Sequence, residues 1–153
     1  MAERDSGTMQ VFFPQDLPDD TVNITFVVVA AEIEGSWLYV WREGSEGYEL
    51  PSFVLEFNES PFEAATRGLE IETGANEYSL RLVCLLEITS PNLPSQYGEL
   101  YYAHLLGIDD EVIYTTGRKG FFQELPDPLR HPHMQVPILA RAQECLIEGS
   151  SKV

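Results

Sequence analysis

The stretch that decides the fold is YELPSFVLEFNESPFEAATRGLEIETGA, residues 48–75. Its second half carries the signals that begin and end a helix. Ser60 is a good N-cap, Pro61 suits the first helical turn, and Gly74 suits the residue after the last turn. The sequence therefore predicts a helix over residues 60–73.

The predicted helix has an apolar side. Phe62, Ala65 and Leu69 recur at helical spacing, so we expect them to face the core. Asn58 is an alternative cap two residues before Ser60. Either cap leaves the same side of the helix buried.

Charged residues line another side of this helix. Glu63, Arg67 and Glu70 stand at positions i, i+4 and i+7. A surface ladder of ion pairs is the ordinary explanation of such spacing, at roughly 0.2–0.5 kcal/mol for each pair. We expect that arrangement for Glu63 and Glu70.

Segments rich in β-branched and aromatic residues flank the helix and predict strands. The predicted strands are residues 21–30, 36–42, a short one reached from 49–54, 78–88 and 99–106. Proline-containing loops are predicted at 89–98 and 126–137, an irregular stretch at 107–120, and a closing helix at 137–147.

This order of elements predicts one α/β domain with a mixed β-sheet. The domain is expected to cover residues 21–153, after an N-terminal leader at residues 1–20 that is either mobile or packed as an edge. Two isolated cysteines, Cys84 and Cys145, predict neither a disulfide framework nor a zinc site.

Four residues of residues 48–75 have the spacing of a known motif. Five residues separate position 53 from Glu59, and seven residues separate Glu59 from Arg67. Glu72 and Gly74 follow. This pattern resembles the signature of the Nudix hydrolases, the Nudix box. The resemblance extends over about residues 21–148 and implies an α/β/α sandwich with a mixed sheet.

The resemblance also implies roles for individual residues. Catalytic roles fall on Glu59, Arg67 and Glu72, with Arg67 pairing with Glu59 to fix the loop against the helix. Metal binding falls on Glu56 and Glu72, and the ion expected in an active enzyme is magnesium or manganese. The resemblance assigns no substrate-binding residue.

Three positions depart from the family pattern. Phe53 stands where the family has glycine, and Gly68 and Ile71 stand where it has two metal-binding glutamates. At about 100° per residue, Gly68, Ile71 and Glu72 share one arc of the predicted helix. Only Glu72 offers a carboxylate there, so divalent binding is expected to be weak.

Restoring the two glutamates tests this interpretation. Gly68→Glu together with Ile71→Glu is expected to raise metal affinity. The helix is expected to tolerate Gly68→Glu, because glycine is an unfavourable helix residue. Ile71→Glu carries the greater risk, since Ile71 is free to pack against the preceding loop.

Other residues could belong to an active or binding site, but no motif in the sequence favours one of them over the rest. His131 and His133 flank a proline, which favours a plain loop over a metal site, and His104 is expected to be packed or at the surface. Glu87, Glu99 and Glu111 are possible general bases. Aromatic side chains could stack on a base, although sheet packing is the better explanation for most of them: Trp37, Trp41, Tyr101 and Tyr102.

The charge of the chain bears on its partners. Its 25 acidic and 9 basic residues give a formal net charge of −16, which would repel a nucleic-acid backbone. The N-terminal sequence does not resemble a secretion signal, and no apolar run is long enough to span a bilayer. We expect a cytoplasmic protein without nucleic-acid or membrane partners, and the sequence leaves a small phosphorylated ligand and a homodimer open.

Two functions remain at this point. The first is a divergent protein with an impaired metal site that binds a nucleotide-like or diphosphate ligand, or a partner, with weak or no hydrolysis. The second is an active magnesium-dependent hydrolase of nucleoside diphosphates linked to another moiety. Gly68 and Ile71 favour the first, and Glu59, Arg67, Glu72 and Gly74 support the second.

Overall fold

The β-branched segment predicted as the first buried strand lies at the centre of a seven-stranded sheet. The computed structural model describes residues 9–109 and 117–151. Its elements in chain order are β1 (Gln10–Phe12), β2 (Ile24–Ile33), β3 (Ser36–Arg42), β4 (Ser52–Val54), α1 (Pro61–Arg67), a π-helical turn (Gly68–Thr73), β5 (Ala75–Ser90), β6 (Leu93–Ile108), β7 (Gly117–Phe122) and α2 (Pro132–Ser151).

The sheet is mixed, as the sequence predicted. Its strand order is β1-β5-β6-β2-β3-β7, and β4 pairs with β2 off this path. Strands β2 and β6 run parallel, whereas the other pairs are antiparallel. The parallel pair therefore lies in the middle of the sheet, and short antiparallel strands lie at its edges.

Helices cover both faces of the sheet. Because side chains alternate along a strand, Leu38 of β3 faces α1 and the π-helical turn, where Ala65 and Leu69 are buried. Its neighbour Tyr39 faces α2 and packs in a second core with Ile138. Two cores on opposite faces of one sheet make an α/β/α sandwich, which confirms the predicted fold class.

The predicted helix at residues 60–73 is confirmed, with a change of winding. Ser60 caps α1: its Oγ accepts from the Glu63 backbone N–H at 3.1 Å, and the Glu63 carboxylate accepts from the Ser60 N–H at 2.9 Å. After Arg67 the chain winds as a π-helical turn, which adds one residue to each hydrogen-bonded ring. The helical segment ends at Gly74, whose φ of 84° is accessible to glycine without strain.

The ion-pair ladder predicted on this helix is wrong. The Glu63 carboxylate completes the cap, Arg67 turns to Glu59, and Glu70 accepts a hydrogen bond from the Tyr78 hydroxyl at 2.7 Å. Each side chain has a nearer partner than its helical neighbour. Phe62, predicted as core, is 51% exposed.

Two predicted loops are shorter than expected. Residues 89–98 form the end of β5, a tight turn at positions 91 and 92, and the start of β6. Helix α2 begins at Pro132, because proline is compatible with a first helical turn. Of the stretch predicted as irregular, residues 107–108 end β6 and residues 117–120 begin β7.

Part of the N-terminal leader packs as an edge, one of the two arrangements expected for it. Strand β1 pairs antiparallel with β5, and Val11 lies opposite Ile88. The proposed domain boundary after residue 20 stays a prediction. Within the residues described, no helix is long and apolar enough to cross a membrane.

Candidate functional site

The loop before α1 is tied to the helix by one arginine. Arg67 Nε and Nη2 donate to the two carboxylate oxygens of Glu59 at 2.7 and 2.9 Å, and Nη2 also donates to the Val54 carbonyl at 2.9 Å. The predicted pairing is confirmed. Hydrogen bonds from Arg67 hold the pKa of Glu59 below its usual range, so both partners are charged at neutral pH.

Arg67 also interacts with the two other acidic residues to which the resemblance gives roles, Glu56 and Glu72. Its Nη1 lies 3.8 Å from Glu56 Oε2. The hydrogen bonds with Glu59 raise the pKa of Arg67 above its usual range, and the charges of Glu56 and Glu72 add to that effect. Glu56 and Glu59 therefore contact one guanidinium, and the charge of Glu72 acts on it from farther away.

Replacing Arg67 by Ala is expected to lower the free energy of unfolding by clearly more than the ~0.5 kcal/mol typical of an ordinary surface change. The substitution leaves the half-buried Glu59 without its bidentate partner and frees the loop. Chemical denaturation monitored by circular dichroism measures the loss. Arg141→Ala on α2 is the matched control, since within the described residues that guanidinium makes a long ion pair with Glu144 at 4.0 Å and a ring contact with Phe13. Equal losses for the two variants would contradict the conclusion that Arg67 holds the loop against the helix.

Phe53 occupies the space beside Gly68. A Cβ atom at Gly68 would lie 2.2–2.4 Å from three atoms of the Phe53 ring, and the ring itself is buried in the core that faces α1. No real Cβ tolerates such a distance. The expectation that Gly68→Glu would be accepted by the helix is therefore wrong, because it considered helix propensity and not the neighbouring ring.

Ile71 differs from its expected surroundings. Its side chain is 69% exposed, so it does not pack against the loop, and Ile71→Glu carries little risk. The single arc expected for Gly68, Ile71 and Glu72 stays a prediction. Their surroundings differ: position 68 faces the Phe53 ring, position 71 faces solvent, and Glu72 faces a neighbouring arginine.

That arginine is Arg42, at the end of β3. Its Nη1 lies 3.7 Å from Glu72 Oε1 and its Nε lies 3.7 Å from Glu49 Oε2, while Nη2 donates to the Ser52 carbonyl at 2.6 Å. Arg130 donates from Nη1 to both oxygens of Glu49 at 3.3 and 3.4 Å. Two guanidiniums and two carboxylates thus alternate across the site.

These groups line an open cavity of about 380 Å³ between β2, β4 and the π-helical turn. Its lining combines Arg42, Arg130, Glu49 and Glu72 with apolar walls that include Phe26 and Phe53. A smaller cavity of about 180 Å³, toward the start of α2, shares Phe26, Glu49 and Arg130. Charged groups beside apolar walls are typical of pockets for small polar ligands.

The residues present do not fit a divalent cation. A hard dication needs several oxygen ligands directed at one point, whereas Gly68 and Ile71 offer none and Glu72 faces the Arg42 guanidinium. Within residues 9–109 and 117–151, no group of three or more histidine, cysteine, aspartate or glutamate side chains could hold a metal ion. Local positive charge comes instead from arginine.

Most of the remaining candidates lie away from this cavity or in packed positions, whereas His131 lines the smaller cavity beside Arg130. Glu87 and Glu99 accept hydrogen bonds from tyrosine hydroxyls, and His104 Nδ1 lies 3.2 Å from Glu32. Glu111 lies outside the described residues. Three of the four aromatic residues considered for base stacking are buried in the sheet, as expected for packing: Trp37, Tyr101 and Tyr102.

Sequence reasoning did not find Arg42, Glu49 and Arg130. They lie outside the motif, and only the fold brings them to Glu72. A signal for the Phe53 contact was present, because a large residue replaces a small one at position 53 and a small residue replaces a large one at position 68. Opposite changes of size at two positions of one motif indicate that the two side chains share a space.

Comparison with known proteins adds to this geometry. No protein-family model and no curated protein matches the sequence. Among solved structures, the pyrophosphohydrolase of Bacillus subtilis is 26% identical over 90% of both chains, with a TM-score of 0.69. A Nudix hydrolase from Nitrosomonas europaea is 18% identical over 83% of this chain and 90% of its own, with a TM-score of 0.63.

A third similar structure is the Nudix domain of NrtR from Shewanella oneidensis, solved with ADP-ribose. It is 16% identical over 82% of this chain and 89% of its own, with a TM-score of 0.64. At these identities the similarity concerns the course of the backbone. The chain has the Nudix fold, with the loop–helix pairing of Glu59 and Arg67 that the sequence indicated.

Proposed function

We propose that this protein binds a nucleotide-like ligand with a diphosphate group in the cavity between Arg42 and Arg130, and that it hydrolyses this ligand weakly or not at all. The observation that carries the proposal is the contact of the Phe53 ring with Gly68. That ring fills the space in which the family pattern would place a metal-binding glutamate. This packing supports the proposal that the metal site is impaired.

The arginines support binding of an anion without a metal ion. A guanidinium presents a planar fork of donors that matches phosphate oxygens. Arg42 and Arg130 each face Glu49, which is only 6% exposed and cannot move far from them. A diphosphate at the mouth of the cavity would add further oxygen partners to both guanidiniums while Glu49 keeps them in place.

Similar structures agree with this class of ligand. The Nudix domain from Shewanella oneidensis was solved in complex with ADP-ribose, and other similar structures are named for action on ADP compounds and ADP-ribose. The ligand proposed for this chain is therefore a nucleoside diphosphate joined to a second group. A partner protein and active magnesium- or manganese-dependent hydrolysis are the competing outcomes.

Calorimetric titration with ADP-ribose tests the arginines. Arg42→Gln and Arg130→Gln are each expected to weaken binding about tenfold or more, because each removes a charge-assisted hydrogen bond to phosphate. Arg141→Gln, which removes a guanidinium outside the cavity, is expected to bind as the wild type does. Thermal unfolding of each variant checks that the protein is folded. Equal affinity for all four proteins would contradict the proposed location.

A further inference from the structure

Strand β5 has one edge that β6 does not cover. Strand β1 pairs with that edge only at residues 87–89. Among the residues that the structure describes, no strand pairs with this outer edge over residues 77–82, which we call the β5 edge. An unpaired strand edge presents backbone N–H and C=O groups that can form a ladder with another chain. The β5 edge is therefore a candidate interaction surface.

The β5 edge carries two exposed charges of opposite sign, Glu77 and Arg81. Neither takes part in an ion pair within the described part of the chain. The Arg81 guanidinium lies over the Tyr102 ring of the neighbouring strand, 5.5 Å from its centroid. Charges on an edge strand commonly prevent pairing with a second chain, because like charges placed opposite each other repel. Whether these two charges prevent or favour pairing therefore depends on which residues come to face each other.

The sequence of the β5 edge is self-complementary about Ser79. When two copies of a strand pair antiparallel around a twofold axis at one residue, the residues at equal distances on either side face each other. With the axis at Ser79, Glu77 of each copy lies opposite Arg81 of the other, which makes two attractive charge pairs. Tyr78 of each copy lies opposite Leu80 of the other, which makes two apolar pairs.

The two faces of the β5 edge agree with this register. Tyr78 and Leu80 pack against the core that faces α1, so their cross-strand contacts would continue that core into the second copy. Leu82, which is 52% exposed, would be a diagonal neighbour of Tyr78 of the second copy, within reach of an aromatic ring. Because side chains alternate along a strand, the two charged residues lie on the other face. Apolar residues thus meet on one face and opposite charges on the other.

We propose that a second copy of this protein binds the β5 edge, antiparallel and centred on Ser79, so that the two sheets become one continuous sheet. The net charge of −16 on each chain opposes association, which the backbone ladder and the two charge pairs offset. No residue of the β5 edge lines the cavities near Arg42 and Arg130. The proposed dimer therefore does not depend on the proposed ligand.

Reversing one charge tests the proposed pairing. Glu77→Arg and Arg81→Glu each turn both charge pairs into repulsive ones, so each is expected to weaken dimerisation about tenfold or more. Sedimentation over protein concentrations of about 1–100 µM gives the dissociation constant. Glu144→Arg, at an exposed position of α2, changes the net charge by the same amount as Glu77→Arg. This control is expected to dimerise at least as tightly as the wild type.

Mixing the two charge-reversal variants tests the register. In a mixed pair, the arginine introduced at position 77 faces the glutamate introduced at position 81, and the native Arg81 of one copy faces the native Glu77 of the other. The mixture is expected to recover most of the wild-type affinity, although each variant alone is monomeric or nearly so. Thermal unfolding checks that both variants are folded. A wild type that stays monomeric over this range, a dimer that both single reversals leave intact, or variants that stay monomeric when mixed would overturn the proposal.

Discussion

Replacing Gly68 by Ala is expected to destabilise the protein by about 1–3 kcal/mol, the usual cost of forcing an extra group into a packed core. Helix propensity alone predicts the opposite sign, a gain of up to about 1 kcal/mol. The steric effect dominates because a Cβ there would lie 2.2 Å from the ring of Phe53. Denaturant unfolding of the wild type and Gly68→Ala measures the difference.

A double-mutant cycle shows whether Phe53 is the cause. Phe53→Ala alone is expected to cost about 3–5 kcal/mol, as for other buried phenylalanines. In that background, Gly68→Ala is expected to become neutral or stabilising. Ile71→Ala, at an exposed position in the same π-helical turn, serves as the control and is expected to change stability by less than ~0.5 kcal/mol. A stabilising Gly68→Ala in the wild-type background would refute the steric account.

Restoring the family pattern is expected to create magnesium-dependent hydrolysis. The variant combines Phe53→Gly, Gly68→Glu and Ile71→Glu. Phe53→Gly removes the ring from the space that the longer side chain at position 68 needs. A bound cation can stabilise the transition state by several kcal/mol, so hydrolysis of ADP-ribose is expected to rise at least ~100-fold over the wild type. Release of AMP, measured by chromatography, gives the rate.

Two controls accompany the restored variant. Gly68→Glu without Phe53→Gly is expected to fold poorly, because the ring still fills the space. The restored variant with Glu72→Gln is expected to lose its gain, because Glu72 supplies the carboxylate already present in the π-helical turn. A folded restored variant that neither binds magnesium nor hydrolyses ADP-ribose would show that the family pattern does not apply to these positions.

Local signals in the sequence predicted an α/β domain with a mixed sheet, and the resemblance to the Nudix pattern implied the α/β/α sandwich. The cap at Ser60, the glycine at Gly74 and the buried strands each reflect residues close in the chain. The pairing of Glu59 with Arg67 was also predictable, because the motif fixes their separation. The π-helical turn was not, since no propensity distinguishes it from an α-helix over residues 60–73.

The cavity is formed by residues that lie far apart in the sequence. The hydrophobic periodicity of each segment does not predict which of these residues come into contact. Arg130 reaches Glu49 across 81 positions of the chain, and Arg42 reaches Glu72 only because β3 ends beside the π-helical turn. The hairpin at residues 91–92 was missed for a related reason. Prolines near it suggested a loop, whereas pairing of β5 with β6 extends the strands to either side of the turn.

Titration of ADP-ribose into the wild-type protein, first in EDTA and then in excess magnesium, tests metal-independent binding most directly. The arrangement of Arg42, Arg130 and Phe53 predicts the same affinity in both buffers within about twofold, and little or no product in either. Affinity that appears only with magnesium, or magnesium-dependent turnover that Glu72→Gln abolishes, would contradict the account and establish the protein as a metal-dependent hydrolase.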